Sequence, residues 1–170
     1  MEEDHLNIFY VSIIAYLITM FSILECTQKR NVYIIQDAKY IQLQKKYKWL
    51  NKNLYNIVLE NSKRYNIDYK YIIAIIDVES NGNHKAVGKS NDLGLMQVIP
   101  KYHYKNKNQN DLFIPEINIK VGCGYLKDCL NKANNKKWLA SIYYNAGMGC
   151  NISKYNRWWY IKKIIRNTNV

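Results

Sequence analysis

The sequence has little of the residues that interrupt regular structure and little negative charge. Its 170 residues include only 2 prolines and 7 glycines, which argues against a collagen-like or disordered chain. Acidic residues number 13 against 25 lysines and arginines, so the formal net charge is +12. Hydrophobic residues make up 48% and aromatic residues 14%, which is enough apolar material for one modest packed domain with appendages.

Patterns for metal and nucleic-acid binding are also missing. The four cysteines form no CxxC pair and have no histidine at zinc-ligand spacing, so we predict no metal. The basic residues form no single stripe, and we therefore predict no nucleic-acid partner. In an exported domain, Cys150 is a candidate disulfide partner of Cys129 or Cys123. The helical position of Cys123 favours a buried free thiol instead.

The N-terminal region contains an uncharged, mostly apolar segment, Leu6–Leu24. Its length matches a bilayer core of about 30 Å, and it also fits a secretory signal. An acidic flank before it and the lack of an A-x-A-like cleavage site favour an uncleaved membrane anchor. Lys29 and Arg30 follow the segment, and positive residues prefer the cytoplasmic side, which conflicts with export. We interpret residues 31–50 as a basic linker.

Two amphipathic helices are predicted after this linker. In the first, apolar residues recur at helical spacing from Leu54 and the pattern ends near residues 65–66. Asp68 is well placed as the N-cap of the second helix. In that helix Ile72, Ile75 and Ile76 form an apolar stripe along one face. Glu79 lies on the same face, in the last turn of the helix. Glu79 is either a functional residue or a residue at the edge of the core whose carboxylate simply reaches water.

The position of Glu79 predicts a raised carboxyl pKa. Desolvation disfavours the anion, and the C-terminal end of a helix is the negative end of its dipole. A carboxyl that stays protonated near neutral pH is what a general acid for glycosidic bond cleavage requires.

Short motifs follow this helix in a fixed order. They are E-S at 79–80, G-L-M-Q at 94–97, P-E-I-N-I at 115–119, G-C-G-Y-L at 122–126 and Y-N-A-G at 144–147. Together they resemble the soluble lytic transglycosylase (SLT) family of lysozyme-like, peptidoglycan-cleaving domains. The resemblance covers residues 68–151.

This resemblance implies a fold and a set of site residues. The expected fold is all-α and lysozyme-like: a compact helical domain over 51–170, preceded by one N-terminal transmembrane or signal helix within 1–30. Glu79 is the implied catalytic acid, and Tyr144 offers a ring for a sugar face and a hydroxyl that can reach the catalytic carboxyl. The implied substrate-binding residues are Ser80, Met96, Gln97, Tyr144 and Asn145.

The chain departs from the family pattern at three positions. Gly82 stands where an aromatic residue is common, and Tyr143 replaces a small residue. Gly88 stands where a serine often contacts the catalytic glutamate, so Ser80 or Ser90 is expected to supply that contact.

The resemblance also implies a mechanism without a cofactor. A single acid, without an obvious partner carboxylate, fits a lytic transglycosylase, which closes a 1,6-anhydromuramyl ring and consumes no water. The alternatives are a lysozyme-type hydrolase that uses Asp92, and a catalytically idle glycan-binding module. We expect the basic, aromatic tail, residues 155–170, to pack as a final helix; binding to glycan or to a membrane surface is the alternative.

The implied partners are peptidoglycan glycan strands and the membrane, through Leu6–Leu24. The expected location is the bacterial cell envelope, either anchored at the periplasmic face of the inner membrane or exported to the periplasm. The biological setting is either wall turnover or local opening of the wall for a secretion system or another envelope machine.

Overall fold

A computed structural model describes the backbone of residues 2–168 and the side chains of residues 14–168. The chain divides into two compact units, Met1–Lys46 and Tyr47–Val170.

The first unit is the single helix α1, Glu2–Lys46. The apolar segment Leu6–Leu24 lies within it, and the side chains of residues 6–13 lie outside the described residues. Residues 31–46, which we interpret as linker, continue the same helix. Among the residues that the structure describes, no helix combines the length and apolarity needed to cross a bilayer. The membrane anchor therefore stays a prediction.

The second unit is helical, as predicted. Its described residues contain no strand and only two isolated bridges, which join Val87 to Leu93 and Leu93 to Val98. Short 3₁₀ helices lie at Gln109–Phe113 and Ile152–Lys154. The helices are α2 (Lys52–Tyr65), α3 (Tyr69–Glu79), α4 (Pro100–His103), α5 (Pro115–Lys132), α6 (Lys137–Ala146) and α7 (Trp158–Thr168).

The ends of α2 and α3 follow local capping chemistry. The Asn51 side chain accepts the N–H of Leu54 at 2.8 Å, and Asn66 ends α2 in the left-handed conformation at φ 50°. The Asp68 side chain accepts the N–H of Lys70 at 3.0 Å, which confirms the predicted N-cap of α3. These caps fix where α2 ends and where α3 begins.

Helix α3 is the centre of the unit and packs against α2 and α7. Six consecutive residues, Tyr71 to Ile76, have no exposed surface. A helix that is apolar on all sides is typical of a protein core. Helix α7 packs with Tyr160, Ile161 and Ile164 buried, which confirms the predicted final helix.

The loop between α3 and α4 is organised by one buried side chain from α5. Asn118 is fully buried, and its Nδ2 donates to the carbonyls of Leu93 and Leu112, both at 2.8 Å. Its Oδ1 accepts the N–H of Met96 at 2.8 Å. Gly94, at φ 73°, lies so close to Asn118 that a Cβ there would overlap it. The G-L-M-Q segment is therefore held by α5.

Three parts of the second unit meet at Asp77. One carboxylate oxygen accepts the indole N–H of Trp49 at 3.2 Å. The other accepts Nδ2 of Asn167 at 3.1 Å and lies 3.4 Å from Nζ of Lys163. The Asp77 side chain is only 13% exposed, so the residue belongs to a partly buried network rather than to the open surface.

Candidate active site

Glu79 is the last residue of α3, and the apolar stripe predicted before it exists. Ile72, Ile75 and Ile76 on the same face are fully buried, while Glu79 itself is half-buried. The side chain therefore leaves the core at the point where the helix ends.

The environment of Glu79 keeps its carboxyl protonated up to neutral pH. Burial raises its pKa from 4.5 to about 7, and the charge of Asp92 adds to the rise. A hydrogen bond from Tyr160 and the charge of Arg157 act in the opposite direction, because both favour the anion. A carboxyl with this pKa can give a proton and take one back at neutral pH.

Tyr160 provides the hydroxyl that contacts the carboxyl. Its OH donates to Oε1 of Glu79 at 2.5 Å, across 81 positions of sequence. Burial, followed by the charge of Glu79, raises the pKa of Tyr160 well above 10. The hydroxyl therefore keeps its proton and acts as a donor to Glu79.

Tyr144 makes a different contact from the one expected. Its hydroxyl donates to the carbonyl of Met96 at 2.8 Å, so it fixes the G-L-M-Q segment instead of bonding to the carboxyl. The charge of Glu79 still helps to raise the pKa of Tyr144, after burial, so the two groups are near each other. In this structure Tyr160, and not Tyr144, donates the hydrogen bond to Glu79.

An aromatic cavity of about 360 Å³ lies beside Tyr144. One wall is a row of three rings: His103 lies 4.0 Å from Tyr125, and Tyr125 lies 5.3 Å from Tyr144, between ring centroids. Stacked rings present flat apolar faces, and sugar rings pack on such faces. The lining residues are Gln97, Val98, Ile99, Tyr102, His103, Gly122, Tyr125, Tyr144, Asn145, Ala146 and Gly147.

Three of the predicted binding residues line this cavity: Gln97, Tyr144 and Asn145. Gln97 adopts a left-handed backbone at φ 49°, and its amide Nε2 donates to the carbonyl of Gly94 at 2.9 Å. Oδ1 of Asn145 accepts the hydroxyl of Tyr155 at 3.2 Å. Their side-chain amides are thus oriented at the cavity wall by contacts within the protein.

The other two predicted binding residues have structural contacts. The Ser80 hydroxyl donates to the carbonyl of Leu95 at 2.8 Å and joins the end of α3 to the following loop. The Met96 side chain has no exposed surface and packs against Gly122 and Cys123 of α5. In this structure Met96 is therefore part of the core beneath the cavity.

The cysteines form no disulfide in the described residues. All four cysteines lie within the described residues and are free thiols. Burial raises the pKa of the Cys123 thiol to about 12, which fits the expected buried thiol. Over the described part of the chain, no group of three or more His, Cys, Asp or Glu side chains is arranged to hold a metal ion.

The motifs and the fold agree with one protein family. The family model for the transglycosylase SLT domain matches residues 56–164. The chain belongs to this family. The match covers every helix from α3 to α6 and most of α2 and α7.

Curated relatives of the SLT domain are similar over part of their length. Membrane-bound lytic murein transglycosylase E of Buchnera aphidicola is 42% identical over an alignment of 81 residues, and the match covers 42% of this chain and 38% of that protein. Membrane-bound lytic murein transglycosylase C of Photorhabdus laumondii is 33% identical over an alignment of 110 residues, and the match covers 55% of this chain and 31% of that protein. The chain thus spans about a third of the curated relatives it matches.

Solved structures show the same fold at low identity. A complex of the 70-kDa soluble lytic transglycosylase with bulgecin A aligns with a TM-score of 0.55 and 23% identity, over 75% of this chain and 20% of that one. An inactive mutant of lytic transglycosylase Slt from Pseudomonas aeruginosa aligns with a TM-score of 0.52 and 22% identity, over 67% and 21%. The predicted lysozyme-like helical fold is therefore confirmed.

Gly82, one of the departures from the SLT pattern, has a structural explanation. It adopts φ 75°, and a Cβ there would overlap the ring of Trp49. The indole of Trp49, which lies before the family match, thus occupies the space beside residue 82. An aromatic ring is present at this place, but it comes from another part of the chain.

Gly88, a second departure, is explained by Asp92. A Cβ at Gly88 would overlap the carboxylate of Asp92, so the glycine makes room for that side chain. Oδ1 of Asp92 accepts the N–H of Ser90 at 3.0 Å, as in a loop aspartate that caps a turn. Ser80 or Ser90 was expected to contact Glu79. The Ser80 hydroxyl donates to the carbonyl of Leu95, the N–H of Ser90 donates to Asp92, and Tyr160 supplies the hydroxyl that contacts Glu79.

Sequence reasoning missed Tyr160. The pattern of α7 contains the signal, because Tyr160 and Ile164 are four residues apart on its buried face. A hydroxyl within a buried apolar stripe needs a hydrogen-bond partner, just as Glu79 does on α3. Nothing local in the sequence indicates that these two groups are each other's partners.

Proposed function

We propose that this chain is a peptidoglycan lytic transglycosylase that cleaves the β-1,4 bond between N-acetylmuramic acid and N-acetylglucosamine. The observation that carries the proposal is the environment of the Glu79 carboxyl. Burial raises its pKa to about 7, and the hydroxyl of Tyr160 donates a hydrogen bond to it. Membership of the SLT family and the similarity to proteins named lytic murein transglycosylases support the choice of substrate.

The proposed reaction uses Glu79 twice. Protonated Glu79 first gives its proton to the oxygen that bridges the two sugars, and the bond from that oxygen to muramyl C1 breaks. The Glu79 carboxylate then accepts the proton of the muramyl C6 hydroxyl, whose oxygen bonds to C1 and closes the 1,6-anhydro ring. The proton lost in the first step is regained in the second, so no water is consumed and Glu79 is restored.

Tyr160 supports the middle of this cycle. Its hydroxyl donates to the same carboxyl, and this bond stabilises the carboxylate that exists after the first proton transfer. Burial stabilises the protonated form before that transfer. The two effects together place the pKa near neutrality, where one group serves as both acid and base.

The test is the chemistry of the products. The full-length chain and its Glu79→Gln variant are incubated with purified peptidoglycan, and released muropeptides are analysed by mass spectrometry. Anhydro-muropeptides from the natural chain and none from the variant are expected. Products with reducing ends, heavier by one water, would instead establish a hydrolase. Wall binding without products from either protein would establish an idle binding module.

We propose further that Leu6–Leu24 anchors the chain at the periplasmic face of the inner membrane. The support is the uncharged apolar segment itself and the similarity to transglycosylases named membrane-bound. Membrane fractionation combined with protease treatment of spheroplasts tests this. We expect the chain in the membrane fraction with its C-terminal part digested. A shorter, soluble periplasmic form would establish a cleaved signal, and a C-terminal part protected in spheroplasts would contradict export.

A further inference from the structure

A second cavity adjoins the aromatic cavity and differs from it in chemistry. Its volume is also about 360 Å³, and the two share Asn145 and Ala146. Where the first is walled by stacked rings, this one is walled by polar and basic side chains. The lining residues are Ser90, Asn145, Ala146, Cys150, Asn151, Lys154, Tyr155, Asn156 and Arg157.

Two unpaired cations face the second cavity. Lys154 ends the 3₁₀ helix Ile152–Lys154, and Arg157 directly precedes α7. Within residues 14–168 neither makes an ion pair, and the lining contains no aspartate or glutamate. A concave surface with two cations and no anion attracts anionic groups from solution.

The segment that carries these cations is held in place. Oδ1 of Asn151 accepts the N–H of Ser153 at 3.1 Å and its hydroxyl at 2.7 Å. The hydroxyl of Tyr155, a buried residue, donates to Asn145 at 3.2 Å. The N–H of Tyr160 donates to the carbonyl of Arg157 at 3.0 Å. Lys154 and Arg157 therefore extend from a backbone that is held by hydrogen bonds, at the edge of the second cavity.

The second cavity is also close to the reacting carboxyl. The charge of Arg157 acts on Glu79, and Glu79 acts on Tyr155. From the aromatic cavity, Tyr144 is influenced by the same carboxyl. Both cavities thus lie in the neighbourhood of Glu79, and they share two lining residues.

We propose that this basic cavity binds the carboxylates of the peptide stem carried by the muramyl residue. The inference rests on the proposed function, because it takes peptidoglycan as the polymer. A sugar backbone of N-acetylated, uncharged rings suits the aromatic wall, whereas the stem carries free carboxylates that suit Lys154 and Arg157. The enzyme then selects strands that keep their charged stems.

The experiment compares two substrates that differ only in charge. Soluble peptide-bearing glycan strands are used as prepared, or after carbodiimide coupling to ammonia, which converts stem carboxylates to neutral amides. With the full-length chain, Lys154→Ala should raise KM for the charged strands about threefold with kcat little changed. The Lys154→Ala/Arg157→Ala pair should raise this KM about tenfold. KM for the amidated strands should stay unchanged.

Charge-matched variants control for the loss of two cations. Lys162 and Arg166 are exposed on α7 and line neither cavity, so the Lys162→Ala/Arg166→Ala pair should leave both KM values unchanged. Lys154→Arg should retain the preference for charged strands. Because Arg157 also acts on Glu79, each variant is judged by the ratio of its KM values for the two substrates, in which a change at Glu79 cancels.

Binding separates this proposal from the proposed function. Calorimetry on the Glu79→Gln variant, titrated with a disaccharide-peptide or its amidated form, needs no turnover. Tighter binding of the charged form, lost in Glu79→Gln with Lys154→Ala and Arg157→Ala, supports the site even if the natural chain cleaves nothing. Equal affinity for both forms, or equal loss of both in the cavity variants, would overturn it.

Discussion

Helices α3 and α7 have eleven residues each and contribute the two partners of one hydrogen bond, but they are buried very differently. Helix α3 is enclosed, with six consecutive residues free of exposed surface. Helix α7 has one buried face, while Trp158 is 47% exposed, Trp159 61% and Ile165 38%. The acid is thus fixed by the core, and the hydroxyl that adjusts it belongs to a helix that covers the core.

This difference assigns separate tasks to the two helices. Burial by α3 and its neighbours sets the large rise in the pKa of Glu79, which no single contact provides. The bond from α7 then lowers that pKa by a smaller amount. Changes on α3 should therefore abolish function or folding, and changes on α7 should tune them.

The largest effect is expected from the carboxyl itself. Glu79→Gln keeps the size of the side chain and removes the transferable proton, so the rate of muropeptide release should fall about 10³-fold, in the range typical of a lost general acid. Circular dichroism and thermal unfolding should show an intact fold. A variant that retained more than a tenth of the activity would remove Glu79 from its proposed role.

A matched pair of isoleucines compares the burial of the two helices. Ile75→Ala on α3 opens a cavity in the core and should lower the free energy of unfolding by about 3–4 kcal/mol. Ile165→Ala on α7, where the side chain is 38% exposed, should change it by less than about 0.5 kcal/mol. Chemical denaturation of both variants measures the difference. Equal losses would show that α7 is as much a core element as α3.

The raised pKa of Glu79 predicts a pH dependence of stability. Protonation favours the folded state, because the pKa of Glu79 is about 7 in the folded chain, whereas its ordinary value is 4.5. This contribution is fully present below pH 4.5 and is lost as the pH rises through 7, a change of about 3 kcal/mol.

Glu79→Gln lacks this titration, so denaturation curves measured across this pH range should diverge. The variant should be equal to the natural chain near pH 4.5 and more stable by about 3 kcal/mol near pH 8. Glu60→Gln, on the exposed surface of α2, is the control for removal of a carboxylate. Parallel curves for Glu79→Gln and the natural chain would contradict the raised pKa.

The smallest effect is expected from the hydroxyl of α7. Tyr160→Phe removes the bond that favours the Glu79 anion, so the pKa of Glu79 rises and the alkaline limb of the kcat/KM profile moves to higher pH. The rate at the optimum should fall about tenfold, equivalent to about 1.4 kcal/mol.

Tyr71→Phe is the matched control for Tyr160→Phe. It removes another buried hydroxyl, which donates to the carbonyl of Lys137 at 3.0 Å, without removing a bond to Glu79. Stability should fall while the alkaline limb stays in place. An identical shift in both variants would show that the limb does not report the bond between Tyr160 and Glu79.

The same contrast explains what the sequence reveals. Helix α3 is readable because its caps, its apolar stripe and Glu79 lie within a few residues of one another, so periodicity and local chemistry suffice. The family motifs add the G-L-M-Q segment and Tyr144. The all-α fold, which the family resemblance implied, and the final helix were also predicted correctly.

Contacts between distant positions were beyond sequence reasoning. Tyr160 meets Glu79 only because α7 packs on α3, and no pattern within α7 specifies that register. Trp49 fills the space beside Gly82 from outside the family motifs, and the Asp92 carboxylate fills the space beside Gly88. The sequence shows that a motif has a glycine where the family has a side chain. Only the fold shows which other side chain fills the space beside that glycine.

The network at Asp77 determines how short a working fragment can be. A protein trimmed to the family match, 56–164, would lose both Trp49 and Asn167, which donate to the two oxygens of this carboxylate. Lys163 alone would remain beside the largely buried negative charge of Asp77, and Asp77 lies two residues before Glu79. Expression boundaries for the domain should therefore begin at or before residue 47 and extend through residue 168.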